Sequence, residues 1–268
     1  MGGFARRMSY WKAFAAKYPS RALLRIDGGS IFEKGTAASS IANRYMLEGV
    51  YRSNLDALGM SAPDVPVWQE MSDLAEAGLV SHDYLKLPLV SANLTAKISN
   101  FPRMQRYIVK GFNVDPKAGK PLRVGITALL ADPEGRISPK EFQVQKPEEA
   151  ARQALDELKD KADYVIVLTD MSLGEAIALA VEMAGINMIV VSHNYEVAID
   201  AQQVGNTLII GPINQGRMLS EARLNIKSGT QRVQIESHLV PLDRAVPDDP
   251  GMGELVRRAK AEVDKAQK

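Results

Sequence analysis

Residues 164–195 read YVIVLTDMSLGEAIALAVEMAGINMIVVSHNY. The run YVIVL (164–168) is apolar without alternation, as expected of a strand covered on both faces. Ser172 and Glu175 then form the S-x-x-E pattern of a capping box, which predicts a helix to about Ala184 with Gly185 beyond its end. INMIVV (186–191) is a second buried strand, and it surfaces at His193 and Asn194. An apolar strand, a capped helix and another apolar strand in direct succession argue for a layered α/β fold.

The same reading extends in both directions. PEEAARQALDELKDKA (147–162) predicts a helix. Pro147 suits its first turn, acidic residues follow at the positive end of the dipole, and Ala151, Leu155, Leu158 and Ala162 form one apolar stripe. LPLVSAN (87–93), QRYIVKGF (105–112) and LRVGITALL (122–130) predict strands, the last two joined by the turn-rich DPKAGKP (115–121). ALLRID (22–27) predicts a buried strand ending in the turn Gly28-Gly29-Ser30, and a helix is expected from about Ser39 to Leu58 with Gly59 as its cap. Downstream, NTLIIGPI (206–213) predicts a strand. EARLNIK and QRVQIESHLVPL, split by Ser228-Gly229-Thr230, predict a β-hairpin. From Pro250 onward the chain is a charged Ala/Lys/Glu helix. Residues 1–240 are therefore expected to form the main domain, and 241–268 a linker or docking helix.

Composition narrows the chemistry. A net charge of +1 gives no broad field to draw in a nucleic-acid polymer or an anionic membrane. With no cysteine, thiol catalysis and thiolate zinc sites are excluded. No apolar run is long enough to span a bilayer, and the polar start MGGFARRMSYWKAF does not read as a signal peptide, which leaves the compartment open. Neither a P-loop, a G-x-G-x-x-G nor a G-x-S-x-G elbow occurs. Trp11 and Trp68 are too isolated for a base-stacking platform; His82 reads as a surface loop residue and His238, on the terminal hairpin, as structural.

Ligands of open α/β sheets sit outside the carboxyl ends of the strands. Three predicted strands end there in polar groups: Asp27 with Ser30, Thr169 with Asp170, and His193 with Asn194. They form a candidate site. The same side chains also suit a plainer reading, in which they cap turns and helix starts.

The order of segments resembles the 5′-nucleotidase and 2′,3′-cyclic-nucleotide phosphodiesterase family of calcineurin-like metallophosphoesterases. GGFARRMSYWKAFAAKYPSRALLRIDGGSIF resembles the family's GG-x-AR helix followed by LLLDAGDxF. LGMSAPDVPVWQE (58–70) falls where the family has LGYDAxxxGNHEF, PLVSANL (88–94) looks like its SANI strand, and VGITALL like its VGIIGLT strand. ADYVIVLTDMSLGE is similar to ADxIVxLSHLG, INMIVVSHNY to IDxIIxGHTH, and NTLIIGPINQGRMLSEARLNI to the closing strand with its GxxGRxLG turn. The resemblance implies a layered sandwich of mixed β-sheets flanked by helices. It also implies two divalent metals, which in the family clamp a phosphate and activate a water.

The ligand positions depart from that pattern. The family's bridging Asp falls on Ser30, its Asn-His pair on Val67 and Trp68, and the His of LSH on Asp170. Of G-H-x-H, the first His is kept as His193 and the second is Tyr195. The D-x-H strand that precedes GG-x-AR in the family has no counterpart from Met1 onward, so either the natural start lies upstream of Met1, or a protein partner or a strand from outside this chain takes its place. His193 then stands as a remnant ligand and Asp170 as a substitute one. A dinuclear centre needs several inner-shell donors with a supporting shell, so the expectation is a degenerate phosphoesterase domain, a pseudoenzyme without bound cofactor, acting as a structural or binding subunit. The alternatives are a metal-dependent phosphohydrolase with a rebuilt site around Asp27, Asp170, His193 and Asn194, and a nucleotide or small-anion binding module. Family members are often exported, whereas no export signal is visible here.

Overall fold

The fold is described from a computed structural model for residues 3–19, 22–33, 35–114, 120–132, 134–192, 199–211, 216–226 and 233–267. In chain order, helix α1 (Phe4–Lys17) leads to strand β1 (Ile26–Asp27), helix α2 (Ala37–Arg52), strand β2 (Ala57–Gly59) and helix α3 (Val65–Glu76). The short strands β3 (Leu89–Val90), β4 (Leu94–Ala96) and β5 (Met104–Gln105) precede the longer β6 (Tyr107–Phe112) and β7 (Leu122–Leu129). Strand β8 (Phe142–Val144), helix α4 (Pro147–Leu158), strand β9 (Tyr164–Thr169), helix α5 (Leu173–Glu182) and strand β10 (Met188–Val191) come next. Strands β11 (Ile199–Val204), β12 (Thr207–Gly211), β13 (Met218–Ile226) and β14 (Val233–Pro241) and helix α6 (Pro250–Ala266) complete the chain.

Two sheets face each other. The larger has the order β11-β12-β10-β9-β7-β6, with β7, β9, β10 and β12 parallel and the two outer strands antiparallel. The smaller, β1-β2-β3-β5, is parallel throughout. Alternation along the central strands sorts their side chains. Val167, Ile189 and Val191 pack with Ala151, Ala154 and Leu179 of the covering helices, whereas Ile166, Leu168, Met188 and Val190 meet Ala57 and Val90 of the small sheet. Strand β9 is thus buried along its whole length, which accounts for its unbroken apolar run. Helix α6 docks on α1 and α2, with Met252 and Leu255 buried against Ala5, Phe4, Met8 and Tyr45.

Several expectations change at element ends. The helix expected to reach Leu58 stops at Arg52. Ser53 turns its hydroxyl back onto the Gly49 carbonyl at 2.8 Å, and Asn54 takes a left-handed φ of 50°, so the chain reverses. The chain then enters buried strand β2, and Gly59 lies in that strand instead of capping a helix. Residues 105–112 divide at Arg106 between two sheets, because β5 pairs with β3 and β6 with β7. The capping box of α5 forms as expected: Ser172 accepts from the Glu175 N–H, and the Glu175 side chain accepts from the Ser172 N–H. The turn of the terminal hairpin and residues 115–119 lie outside the described residues; the flanking strands pair antiparallel in both cases.

Candidate functional site

The carboxyl ends of β1, β2, β9 and β10 open at one edge of the sandwich, into a cavity of about 1820 Å³. Asp27, Gly28, Ser30, Asp64, Asp170 and Ser192 line that end. The chain can close up here only because two glycines follow Asp27. A Cβ on Gly28 would lie 2.6 Å from the Ser192 Cβ, and one on Gly29, whose φ is 96°, would lie 2.6 Å from the Gly59 carbonyl oxygen. Ser192 completes the junction by donating to the Gly28 carbonyl at 2.9 Å.

Each carboxylate in this cleft is engaged by protein donors. Asp27 holds the Arg7 guanidinium at 2.8 Å through Oδ2, and its Oδ1 accepts from the Gly29 N–H at 3.2 Å. Asp64 accepts the N–H groups of Ile31 and Phe32 at 3.0 and 3.1 Å, one on each oxygen, and thereby ties the loop after β1 to the loop after β2. Asp170 accepts the N–H groups of Ala62 and Ala131 at 2.7 and 2.6 Å, joining three strand ends. Ser30 also has a left-handed φ, 59°, and its N–H donates to Ser61 Oγ at 2.9 Å.

Burial dominates the ionisation of the two inner acids. It pushes the Asp64 carboxyl up to about 6, although the Ile31 and Phe32 N–H groups and the Ser61 hydroxyl pull the other way and the Asp27 charge adds to the rise. Burial likewise raises Asp170 to about 6, opposed by the Ala131 and Ala62 N–H groups and reinforced by the charge of Asp64.

The described residues at this end do not by themselves make up a dinuclear metal centre. The oxygens of Asp27, Asp64 and Asp170 already accept from backbone N–H groups or an arginine, which leaves each carboxylate only part of its lone-pair capacity for an ion. Among the described residues no three Asp, Glu or His side chains converge as ligands. Trp68, at the position matching the family's histidine, is not in the cleft. It is 1% exposed in the core under α3, edge-on to Phe32 with ring centroids 5.0 Å apart.

The structure therefore brings Asp27, Ser30 and Asp170 to one cleft, as the strand-end rule expects, while His193 and Asn194 lie outside the described residues. Asp64 and Ser192 are cleft residues that the sequence did not single out. The signal for Asp64 is the same strand-end rule, hidden because β2 reads as the end of a helix. Ser192 stands directly before His193 at the end of its strand.

Comparison with solved structures agrees with this architecture. The chain superposes on the sulfate thiohydrolase SoxB of Thermus thermophilus with a TM-score of 0.75 at 16% identity, covering 98% of this chain and 47% of that one. A 5′-nucleotidase precursor from the same species gives 0.72 at 20% identity, covering 98% and 54%. The NAD nucleotidase NadN of Haemophilus influenzae gives 0.77 at 14% identity, covering 99% and 55%. The chain spans about half the length of these structures. No protein-family model and no curated protein matches the sequence. The fold is that of the 5′-nucleotidase-type calcineurin-like metallophosphoesterases.

Proposed function

We propose that this domain keeps the phosphoesterase architecture without dinuclear-metal catalysis and serves as a structural or binding subunit. One observation carries the reading: Asp27, Asp64 and Asp170 spend both carboxylate oxygens on holding loops and Arg7 in place. A metal would have to share those oxygens with the N–H groups and the arginine, or displace them and leave buried N–H groups orphaned at about 1–3 kcal/mol for each. The cleft chemistry is thus that of a staple, in which a buried acid replaces backbone pairing that the short strands do not supply.

The test is phosphate release from nucleotides and p-nitrophenyl phosphate by purified protein with added Mn²⁺, Zn²⁺ or Mg²⁺, alongside elemental analysis. The expected result is no release above a metal-only control and less than one equivalent of retained metal. Metal-dependent turnover that disappears in Asp170→Ala would establish the rebuilt phosphohydrolase instead. Saturable stabilisation by nucleotides without turnover would favour the anion-binding module.

A further inference from the structure

The two edges of the large sheet are built differently. The β11 edge carries devices that discourage pairing: its register with β12 shifts between Ile199 and Gln202, and Asp200, Gln202 and Gln203 place polar side chains along it. The β6 edge has neither a bulge nor a proline. Its six residues, YIVKGF, pair with β7 in one unbroken register from Tyr107↔Thr127 to Phe112↔Leu122. Aromatic and β-branched residues predominate, and Val109 is 37% exposed. The one charged residue, Lys110, is held by Asp56 at 3.1 Å.

Strand β7 determines which backbone groups β6 leaves free. The Arg123 carbonyl accepts from the Asp163 N–H at 2.7 Å, and the Arg123 N–H donates to Asp163 Oδ2 at 2.8 Å, so both groups point toward β9. Alternation then directs Leu122, Val124 and Ile126 at β6, where they meet Phe112, Lys110 and Ile108. Tyr107, Val109 and Gly111 therefore turn their N–H and carbonyl groups outward. Among the described residues no strand or loop receives them. Ile108 and Phe112 pack on the inter-sheet core, whereas Tyr107 lies on the opposite face, its hydroxyl accepting from Lys161 of the α4 side at 2.6 Å.

Gly111 is the residue that its own chain does not explain. It stands in a regular ladder without a left-handed φ, and an added Cβ would meet only Pro121, at an ordinary 3.7 Å. Glycine inside a strand costs stability, and where no bulge or bend requires it, close approach of another chain accounts for it. A second β6 supplies that approach. With an antiparallel two-fold axis at Val109, that valine faces its own copy, and Tyr107 of each chain lies opposite Gly111 of the other, its ring over bare backbone. The outward groups of Tyr107, Val109 and Gly111 then exchange roughly six hydrogen bonds across the axis. Charge does not oppose the contact. Arg106 is already paired with Glu157 at 3.5 Å and Lys110 with Asp56, so like charges are compensated before the copies meet.

We propose that β6 is the pairing edge of a symmetric homodimer, whose occupant is a second copy of this chain and in which two six-stranded sheets become one continuous sheet. The inference is independent of the cleft. Metal-dependent phosphate release would overturn the proposed function and leave the dimer standing, and a monomer would do the reverse.

The test uses the full chain, which contains no cysteine. Sedimentation velocity at tens of micromolar is expected to give twice the 29.3 kDa chain mass. Gly111→Val sets a branched side chain against Tyr107 of the second copy and is expected to weaken the dimer at least tenfold, with an unchanged circular dichroism spectrum. Adding Tyr107→Ala is expected to recover most of that loss, because the ring is what the new side chain meets. Val109→Cys puts one thiol beside the axis, at ~5.5 Å between Cα atoms in a bonded antiparallel pair, which is within disulfide reach. Mild oxidation is expected to cross-link it at least tenfold faster than Gln203→Cys on the β11 edge. A monomer at that concentration would overturn the proposal. So would a dimer indifferent to Gly111→Val, or equal cross-linking of the two cysteine variants.

Discussion

The large and small sheets of this sandwich are held by different forces. In the large sheet, six-residue β9 and eight-residue β7 pair in unbroken parallel register, and β9 is buried along its length. The small sheet is made of strands two or three residues long. Its loops are fastened by side chains: Asp64 binds Ile31 and Phe32, Asp170 binds Ala62 and Ala131, and Asp56 binds the Arg25 N–H at 2.9 Å. Ladder and apolar burial suffice where strands are long. Where they are short, side-chain carboxylates supply the missing acceptors, and part of their lone-pair capacity at the cleft goes to holding loops.

This contrast makes predictions of decreasing size. Leu168→Ala, at a fully buried position between the sheets, is expected to lower stability by about 3–5 kcal/mol in urea unfolding. A loss under about 1 kcal/mol would mean that the large sheet does not depend on burial. Asp170→Ala orphans the Ala62 and Ala131 N–H groups but also relieves a desolvated acid, so the expected loss is about 2–4 kcal/mol. If it proved neutral, the stapling account would fail.

The acids also give the small sheet a pH signature. Asp64 moves from an ordinary 3.8 up to about 6 on folding, so between those values the native state holds more protons than the unfolded chain. Its contribution to stability is therefore largest below 3.8, falls as pH rises through the window, and reaches its minimum above about 6. Asp64→Asn is expected to flatten the stability profile between about pH 4 and 7 by on the order of 2 kcal/mol relative to the parent, measured by urea unfolding at each pH. An identical slope in both proteins would contradict a raised Asp64 carboxyl. Smallest is Ser172→Ala, which removes the capping oxygen of α5 on the large-sheet side and is expected to lower stability by about 1 kcal/mol.

Legibility follows the same division. Strands β7, β9, β10 and β12 and helices α4 and α5 are readable because their apolar pattern persists over a full turn or several residues. The small sheet is less so: two- and three-residue strands carry no period, so β2 merges with α2 and β5 with β6, although β1 and β3 fall within predicted strands. Outside that sheet, β4, β8 and six-residue β11 escape notice. In the cleft, Asp27, Ser30 and Asp170 are legible as polar residues at strand ends. Asp64 is lost with β2, and nothing in the sequence separates a carboxylate exposed to solvent from one that accepts distant backbone N–H groups.

Sequence alone determined the layered α/β class and the order of the segments, since each rests on residue identity or local period, and it carries the resemblance from which other residue types than the family's ligands are expected at Ser30, Trp68 and Asp170. Only the tertiary structure decided that Asp64 and Asp170 hold loops together and that Trp68 belongs to the core. Those outcomes depend on which distant backbone groups meet in space. A linear pattern carries the propensity of each segment but not the partner of each donor.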